Sequence, residues 1–490
     1  MKRILFIGLF TCSFFLSIAQ VAMDYDPSKQ QTTHLQFFKP IEEHLFVGDC
    51  MPYYHGNTFY LYWLIDQGHH SGLGGLGGHQ WALSTSTDLK NWKHYPIALG
   101  IDEEWEKSIC TGSVIAEGDK FHAFYATRIK DESGVKEQLS YAISSDGGLS
   151  FKKQKPNPFY FPPEVSNPND FRDPEVFKDK DGLFHLFIST YLKEPVLNGF
   201  GGYLAHLISK DLKNWEQAES PLTGQQGTPE CPDYFRWGDW YYLVYQKYSE
   251  TFYVKSKNPY GPWEYPETQA LVEEWSNVAK TAEFTGNRRV SVSFIPGRGN
   301  NNDRGGEIYA GNLLFREVLQ SEDGTLSTRF LPEVLPASTP IVTPAITTAL
   351  PEIISINGKQ IQINAQGSMG VANMNDLPDN YRIRMKIIPE SNYEILGLYL
   401  RGHDKNNAGY KLELNANNAT VMLHNTSIHG VKGLREPVQL DIIVFDDFID
   451  VCINNQRCIV NRLPEKKGHS LFFYVKNGIA SIENIEVSKI

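Results

Sequence analysis

Residues 55–64 read HGNTFYLYWL, a polar turn followed by alternating aromatic and aliphatic residues. The form returns as GDKFHAFYA at 118–126, DGLFHLFIST at 181–190 and GDWYYLVYQ at 238–246. In each, Gly, Asn or Asp makes a turn and the residues after it alternate with a period of two, the pattern of a hairpin entering a strand. The repeats are about sixty residues apart, a little less at the last step, which suits one four-stranded blade of a β-propeller per unit.

A second phrase recurs later in each unit: WALSTSTDLKNW at 81–92, YAISSDGGLSF at 141–151, YLAHLISKDLKNW at 203–215 and YVKSKNPYGPW at 253–263. Each reads as a strand, a short polar turn and an aromatic residue expected to pack between neighbouring sheets. A fifth, degenerate unit follows, with RVSVSFIP at 289–296 and a return EIYAGNLLF at 307–315. Helical periodicity is absent throughout. The expected fold is all-β, with a five-bladed β-propeller over residues 30–331; four blades is the competing count if the last unit does not form one. Residues 332–351 carry five prolines among Thr, Ala and Ser and read as an extended linker. Short alternating segments then run through 352–490, among them YRIRMKI at 381–387 and VQLDIIVF at 438–445, and predict a C-terminal β-sandwich.

A net charge of −11 repels polyanions, and no run of Lys or Arg offsets it, so nucleic acid and acidic membrane surfaces are excluded as expected partners. Lys2 and Arg3 precede an apolar stretch that ends at Ser17-Ile18-Ala19, the pattern of a signal peptide over 1–19 cleaved near Ala19. The expectation is export; Leu9-Phe10-Thr11 before Cys12 makes a poor lipobox, and no later stretch is apolar enough to cross a bilayer. Five cysteines remain after cleavage. Cys452 and Cys458 flank an expected hairpin tip, where a disulfide and two free thiols both stay open.

Three acids stand about eleven residues before an aromatic strand: Asp49 in Val47-Gly48-Asp49-Cys50, Asp173 in Phe171-Arg172-Asp173-Pro174, and Glu230 in Pro229-Glu230-Cys231-Pro232. The first strand of each propeller blade lines the central channel, so equivalent positions on different blades converge at one mouth. Converging carboxylates suit glycosidic cleavage, in which one attacks the anomeric carbon and another, held protonated, gives its proton to the leaving oxygen. Asp beside Gly or Pro is also an ordinary turn residue, but three in register across a repeat are not explained by turns.

Phe171-Arg172-Asp173-Pro174 and Glu230-Cys231-Pro232 resemble two of the three acidic signatures of glycoside hydrolase family 32, which contains invertases, inulinases and levanases. Ser108-Ile-Cys-Thr-Gly-Ser113 is similar to a further sugar-contacting stretch, Phe315-Arg316-Glu317 with Asp323-Gly324 to the last blade, and Asp447-Phe-Ile-Asp-Val-Cys-Ile-Asn454 to the sandwich module. The resemblance implies that Asp49 is the nucleophile, Glu230 the acid/base and Asp173 the stabiliser that binds sugar hydroxyls, with Arg172 orienting the site and Thr111 and Ser113 touching sugar. The first signature departs from the family, keeping its acid but losing the neighbouring amide. The implied activity is retaining, exo-acting hydrolysis of β-fructofuranosyl linkages in a small saccharide or fructan. Another furanoside, such as an arabinofuranoside, and a non-catalytic carbohydrate-binding protein remain as alternatives.

Residues 68–80, GHHSGLGGLGGHQ, form a glycine-rich insertion expected to cap the pocket, with His79, Gln80 or Trp81 touching substrate. His69, His70 and His79 suggest nitrogen ligands, but no motif completes a metal set and no phosphate-loop context surrounds the glycines. Neither a metal nor a cofactor is expected.

Overall fold

A computed structural model of the chain describes residues 23–268, 270–403 and 409–490; the expected signal peptide over 1–19 lies outside the described residues. Among them, no helix is long and apolar enough to cross a membrane.

Five antiparallel four-stranded units succeed one another. Blade one comprises Leu45–His55, Thr58–Gln67, Gln80–Ser86 and Lys93–Leu99; blade two, Ser108–Glu117, Lys120–Asp131, Gly134–Ser144 and Lys152–Lys153; blade three, Ser166–Lys178, Phe184–Leu192, Gly202–Ser209 and Glu216–Ala218. Blade four comprises Glu230–Trp237, Trp240–Lys247, Glu250–Ser256 and Ala270–Val272, and blade five Asn277–Phe284, Arg288–Arg298, Glu307–Gln320 and Leu326–Arg329. The degenerate fifth unit is therefore a full blade. The four aromatic runs that reveal the repeat are the second strands, buried on both faces between neighbouring blades, which is why they are rich in aromatic and aliphatic residues.

The aromatic that ends each outer phrase packs onto the preceding blade. Phe151 of blade two lies 5.7 Å from Tyr62 of blade one, and Trp215 of blade three meets Phe124 of blade two edge-on at 5.3 Å. Trp263 of blade four donates its indole N–H to Pro221 O of the segment ending blade three, at 2.7 Å. The ring closes when Trp92 of blade one reaches Phe315 of blade five at 5.7 Å.

One irregularity is common to all five blades. Each first strand slips register against the second at the same point: between Val47 and Cys50, Ile109 and Gly112, Arg172 and Glu175, Glu230 and Asp233, and Asn277 and Lys280. A β-bulge adds a residue on one strand and re-aims the side chains beside it. Five bulges at one level of a radial array turn five short segments toward the axis.

Two sheets follow the propeller, one ordered through Gln360–Asn364, Ile479–Lys489, Tyr381–Pro389, Val438–Phe445 and Phe448–Ile453, the other through Met369–Met374, Ser470–Lys476, Ile395–Gly402 and Tyr410–Asn415. Their facing alternate residues, including Ile383, Met385, Leu398, Leu412, Ile442 and Phe473, form one apolar core. Parts of the proline-rich stretch join these sheets: Thr339–Pro340 pairs with Ile479–Lys489, and Ile346–Thr348 with Met369–Met374. Cys452 and Cys458 stand opposite each other in register, both buried as free thiols.

The sandwich is fastened to blade five by a buried ion cluster. Arg316 binds both oxygens of Asp450, at 2.8 and 2.7 Å, and Glu273 at 2.8 Å, with all three side chains at most 1% exposed. Around it Phe37, Trp275, Leu314, Phe330, Phe448 and Val460 exclude water. Removing one member of such a cluster leaves an uncompensated buried charge. Arg316→Ala is expected to lower stability by about 3–5 kcal/mol, read from urea unfolding, and a double Arg316→Met, Asp450→Leu variant to lose less than the single one.

Candidate active site

The bulged segments meet around a cavity of about 430 Å³ at the propeller axis. Asp49 comes from blade one, Cys110 and Thr111 from blade two, Arg172 and Asp173 from blade three, Glu230 and Cys231 from blade four, and Val278 from blade five, so every bulge contributes. The three acids expected from the repeat therefore share one cavity.

Their orientation follows from their hydrogen bonds. Asp49 accepts the hydroxyl of Thr111 on Oδ2 and that of Tyr309 on Oδ1, the latter at 3.0 Å, and the Cys231 thiol lies 3.7 Å from Oδ2. Gly48 makes room for Tyr309: a Cβ there would stand 2.6 Å from the phenol oxygen. Arg172 gathers the remaining acids. Its Nη1 binds Asp173 at 2.9 Å and Nη2 binds Glu230 at 2.8 Å, while Nε lies 2.6 Å from Asp170 and 3.3 Å from Glu137. Cys231 N donates to Asp173 at 3.2 Å. Asp173 and Cys231 both have positive φ, 52° and 48°, a strained conformation for these residue types that the bulges hold in place.

Burial pushes the Asp173 carboxyl up to about 7; Arg172 opposes the shift, and Glu137, Asp49 and Glu230 add to it. Beneath this layer lies a second buried one. Lys280 binds Glu175 at 2.7 Å, and Asp233 accepts from Thr281 Oγ1 at 2.6 Å. Burial raises Glu175 to about 7 despite its lysine.

Of the expected substrate-binding residues, Thr111, Arg172 and His79 line the cavity. Ser113, Gln80 and Trp81 stand behind its wall. Ser113 Oγ donates to Pro174 O at 2.8 Å and accepts from Val176 N at 2.7 Å, tying blade two to blade three. Gln80 accepts from Ile101 N at 3.0 Å, and Trp81, fully buried, donates to Cys110 O at 2.9 Å. These three hold neighbouring segments rather than line the cavity, each giving its polar group to a backbone atom behind the wall.

Several lining residues were not anticipated: Tyr309, Arg128 and Glu137 sit on second or third strands, where the sequence carries no signal beyond an ordinary strand pattern. The glycine-rich insertion supplies His70, whose Nε2 is 2.7 Å from Arg128 Nη1; His69 turns away, stacked on Phe46. Asp66, His70 and His79 bring ligand-type atoms within 4.8 Å of one another. A guanidinium already holds the His70 nitrogen, and Asp66 is held by His79 Nε2 at 2.9 Å and His70 N at 2.9 Å, so the trio serves as a hydrogen-bonded brace for the insertion.

A family model for the glycosyl hydrolases family 32 N-terminal domain matches residues 50–323. This chain belongs to family 32. It is 29% identical over 170 residues to a sucrose-6-phosphate hydrolase of Bacillus subtilis, a match covering 33% of each chain, and 30% identical over 247 residues to a levanase of the same organism, covering 47% of this chain and 32% of the levanase. The chain thus spans about a third of the length of these curated relatives. Fructan 1-exohydrolase IIa of Cichorium intybus superposes with a TM-score of 0.69 at 15% identity, over 96% of this chain and 98% of that one, which makes the propeller and sandwich the fold of this family-32 chain.

The folded state holds the Asp173 proton more tightly than the unfolded chain, so the stability this group contributes is greatest in acid and is lost as pH rises from about 4 through about 7. Asp173→Asn, which cannot ionise, is expected to raise the thermal midpoint by about 2–4 °C at pH 8 and by less at pH 5. Equal shifts at both pH values would show that the carboxyl ionises freely in the fold.

Proposed function

We propose that this protein is a retaining, exo-acting glycoside hydrolase that releases a terminal β-fructofuranosyl unit from sucrose or a fructan by double displacement. The observation that carries the reading is the meeting of Asp49, Asp173 and Glu230, from three blades, in one cavity with a single guanidinium between two of them. Family membership supports it, as do the levanase and sucrose-6-phosphate hydrolase names of the relatives.

In this reading Asp49, oriented by two hydroxyl donors, attacks the anomeric carbon. Glu230 gives its proton to the leaving oxygen and then withdraws one from the water that releases the sugar. Retention needs the two carboxyl groups close enough to exclude a water between them, and the Cys231 thiol, one residue after Glu230 and 3.7 Å from Asp49, supports a short span. Asp173, once ionised, accepts hydroxyl groups of the bound ring while Arg172 fixes its position. The inner cavity offers four carboxyl groups against two guanidiniums, which suits a neutral sugar ring there. The positive start, apolar run and Ser17-Ile18-Ala19 site of the first 19 residues support action outside the cytoplasm.

The test is a panel of sucrose, inulin, levan, an aryl arabinofuranoside and β-fructofuranosyl fluoride. Turnover is expected on fructosides, with an acid limb in kcat/KM near pH 7 set by Asp173. Asp49→Ala is expected to lose about 10³-fold or more on every donor, whereas Glu230→Ala keeps substantial kcat/KM for the fluoride, whose departure needs no proton, and loses kcat on every donor because the water that releases the sugar has lost its base. Full activity of either variant on sucrose would remove that residue from the mechanism, and turnover of the arabinofuranoside alone would replace the fructoside reading.

A further inference from the structure

A cavity of about 770 Å³ lies between the propeller and the sandwich, and Lys39, Arg298, Arg462 and Lys467 line it together with Asp446 and Asp447. We propose that it binds a phosphate-type oxyanion, held between the two domains and apart from the acidic cavity at the propeller axis. The proposal goes beyond the glycosidase reading and does not depend on it.

Most of these cations lack an acid. Of the four, Arg462 alone is ion-paired among the described residues, to Asp447 at 2.9 Å. Arg298 is only 4% exposed, yet it reaches neutral acceptors: Nη1 binds Asp303 O at 2.6 Å and Nη2 binds Asn461 Oδ1 at 2.5 Å. Its Nε is buried without a hydrogen-bond partner, and its guanidinium carbon stands 3.9 Å from the centre of the Trp275 ring. Lys39 Nζ sits over the Phe46 ring at 5.3 Å, and Lys467 Nζ donates to Asp446 O at 2.5 Å. Buried charges are stable when paired, and here the chain supplies too few acids.

The electrostatics agree with this geometry. Burial, and after it the Arg462 charge, lowers the Lys39 pKa, with Glu43 and Asp447 opposing. Burial also lowers that of Arg298, with Asp303 opposing and Arg462 adding to the fall. The cations repel one another across the cavity.

Charge selects the occupant. Four cations against two carboxylates leave a surplus of two in the lining. Behind the wall, buried Arg401 donates to the backbone oxygens of Leu463 and Asp446, and buried Asp303 accepts from Glu465 N, so this pair leaves the surplus unchanged. A phosphate monoester carries about −1.5 to −2 at neutral pH and accepts from guanidinium and ammonium donors at once. A small anion also escapes the repulsion that the net charge of −11 exerts on a polyanion. Arg462 already spans the junction, with Nη2 on Asn312 Oδ1 at 2.5 Å and Nη1 on Asp447, so an anion beside it ties propeller to sandwich.

The experiment measures thermal midpoints at constant ionic strength in potassium chloride, with inorganic phosphate or glucose 6-phosphate replacing part of the salt. Either probe at about 10 mM is expected to raise the midpoint by about 2–4 °C, and glucose to leave it unchanged. A larger rise with glucose 6-phosphate assigns the site to a phosphorylated small molecule, and equal rises assign it to the free anion. Lys39→Gln combined with Lys467→Gln removes the surplus and is expected to abolish the rise, the midpoint in chloride alone serving as the check on folding. Asp446→Asn adds to the surplus and is expected to tighten phosphate binding about threefold by titration calorimetry. No rise with either probe, an equal rise in the double variant, or affinity no tighter in Asp446→Asn would overturn the site.

Discussion

Arg172 is the interaction on which the site depends. One guanidinium, largely out of water, is shared among Asp173, Glu230, Asp170 and Glu137. Without it, mutual repulsion and burial would drive protons onto these carboxyl groups or push their strands apart. Even with it, Asp173 is raised to about 7, a sign that desolvation outweighs the single ion pair it receives. Arginine suits the task because its donors lie in a fixed plane and serve different acids at once, where an ammonium group is a point charge.

The guanidinium works only because the backbone delivers the acids to it. Each inner strand is bulged at the same height, and three of the bulges hold a non-glycine residue, Asp173, Cys231 or Val278, at positive φ. Strain of this kind persists when the surroundings over-determine it. Here the second strands, buried between blades, pair with the first strands on both sides of each slip and so fix where the extra residue falls. The buried Lys280–Glu175 pair and the Asp233–Thr281 bonds join blade five to blades three and four just below the site. Stability and chemistry are therefore coupled: groups kept in place for reaction sit where burial penalises their charge.

The sandwich contributes through blade five. Arg316 lies on the same strand as Tyr309, the residue that orients Asp49, and it is Arg316 that reaches Asp450 of the sandwich. The two stretches whose sequences resemble the family's last blade and its sandwich module are thus one contact in space. A brace on this strand limits its movement relative to blade one, to which it is bridged at Gly311 and Val47, two residues from Asp49.

Much of this was written in the chain's periodicity. Turn residues followed by alternating aromatics at a steady spacing identify blades, because a strand buried on both sides between sheets has to be apolar and a tight hairpin has to have Gly, Asn or Asp. Once the blades are counted, radial symmetry brings Asp49, Asp173 and Glu230 together. Ser113, Gln80 and Trp81 show where that reasoning ends: they lie in segments that do approach the site, but their polar groups are taken by Pro174 O, Ile101 N and Cys110 O behind its wall, and the register slip of the inner strands sets which side chains reach the cavity. That slip, the pairing of Arg128 with His70 and Glu137, and the arrival of Tyr309 from the last blade are long-range contacts. Local spacing does not encode them, because they depend on how tightly five sheets close around a common axis.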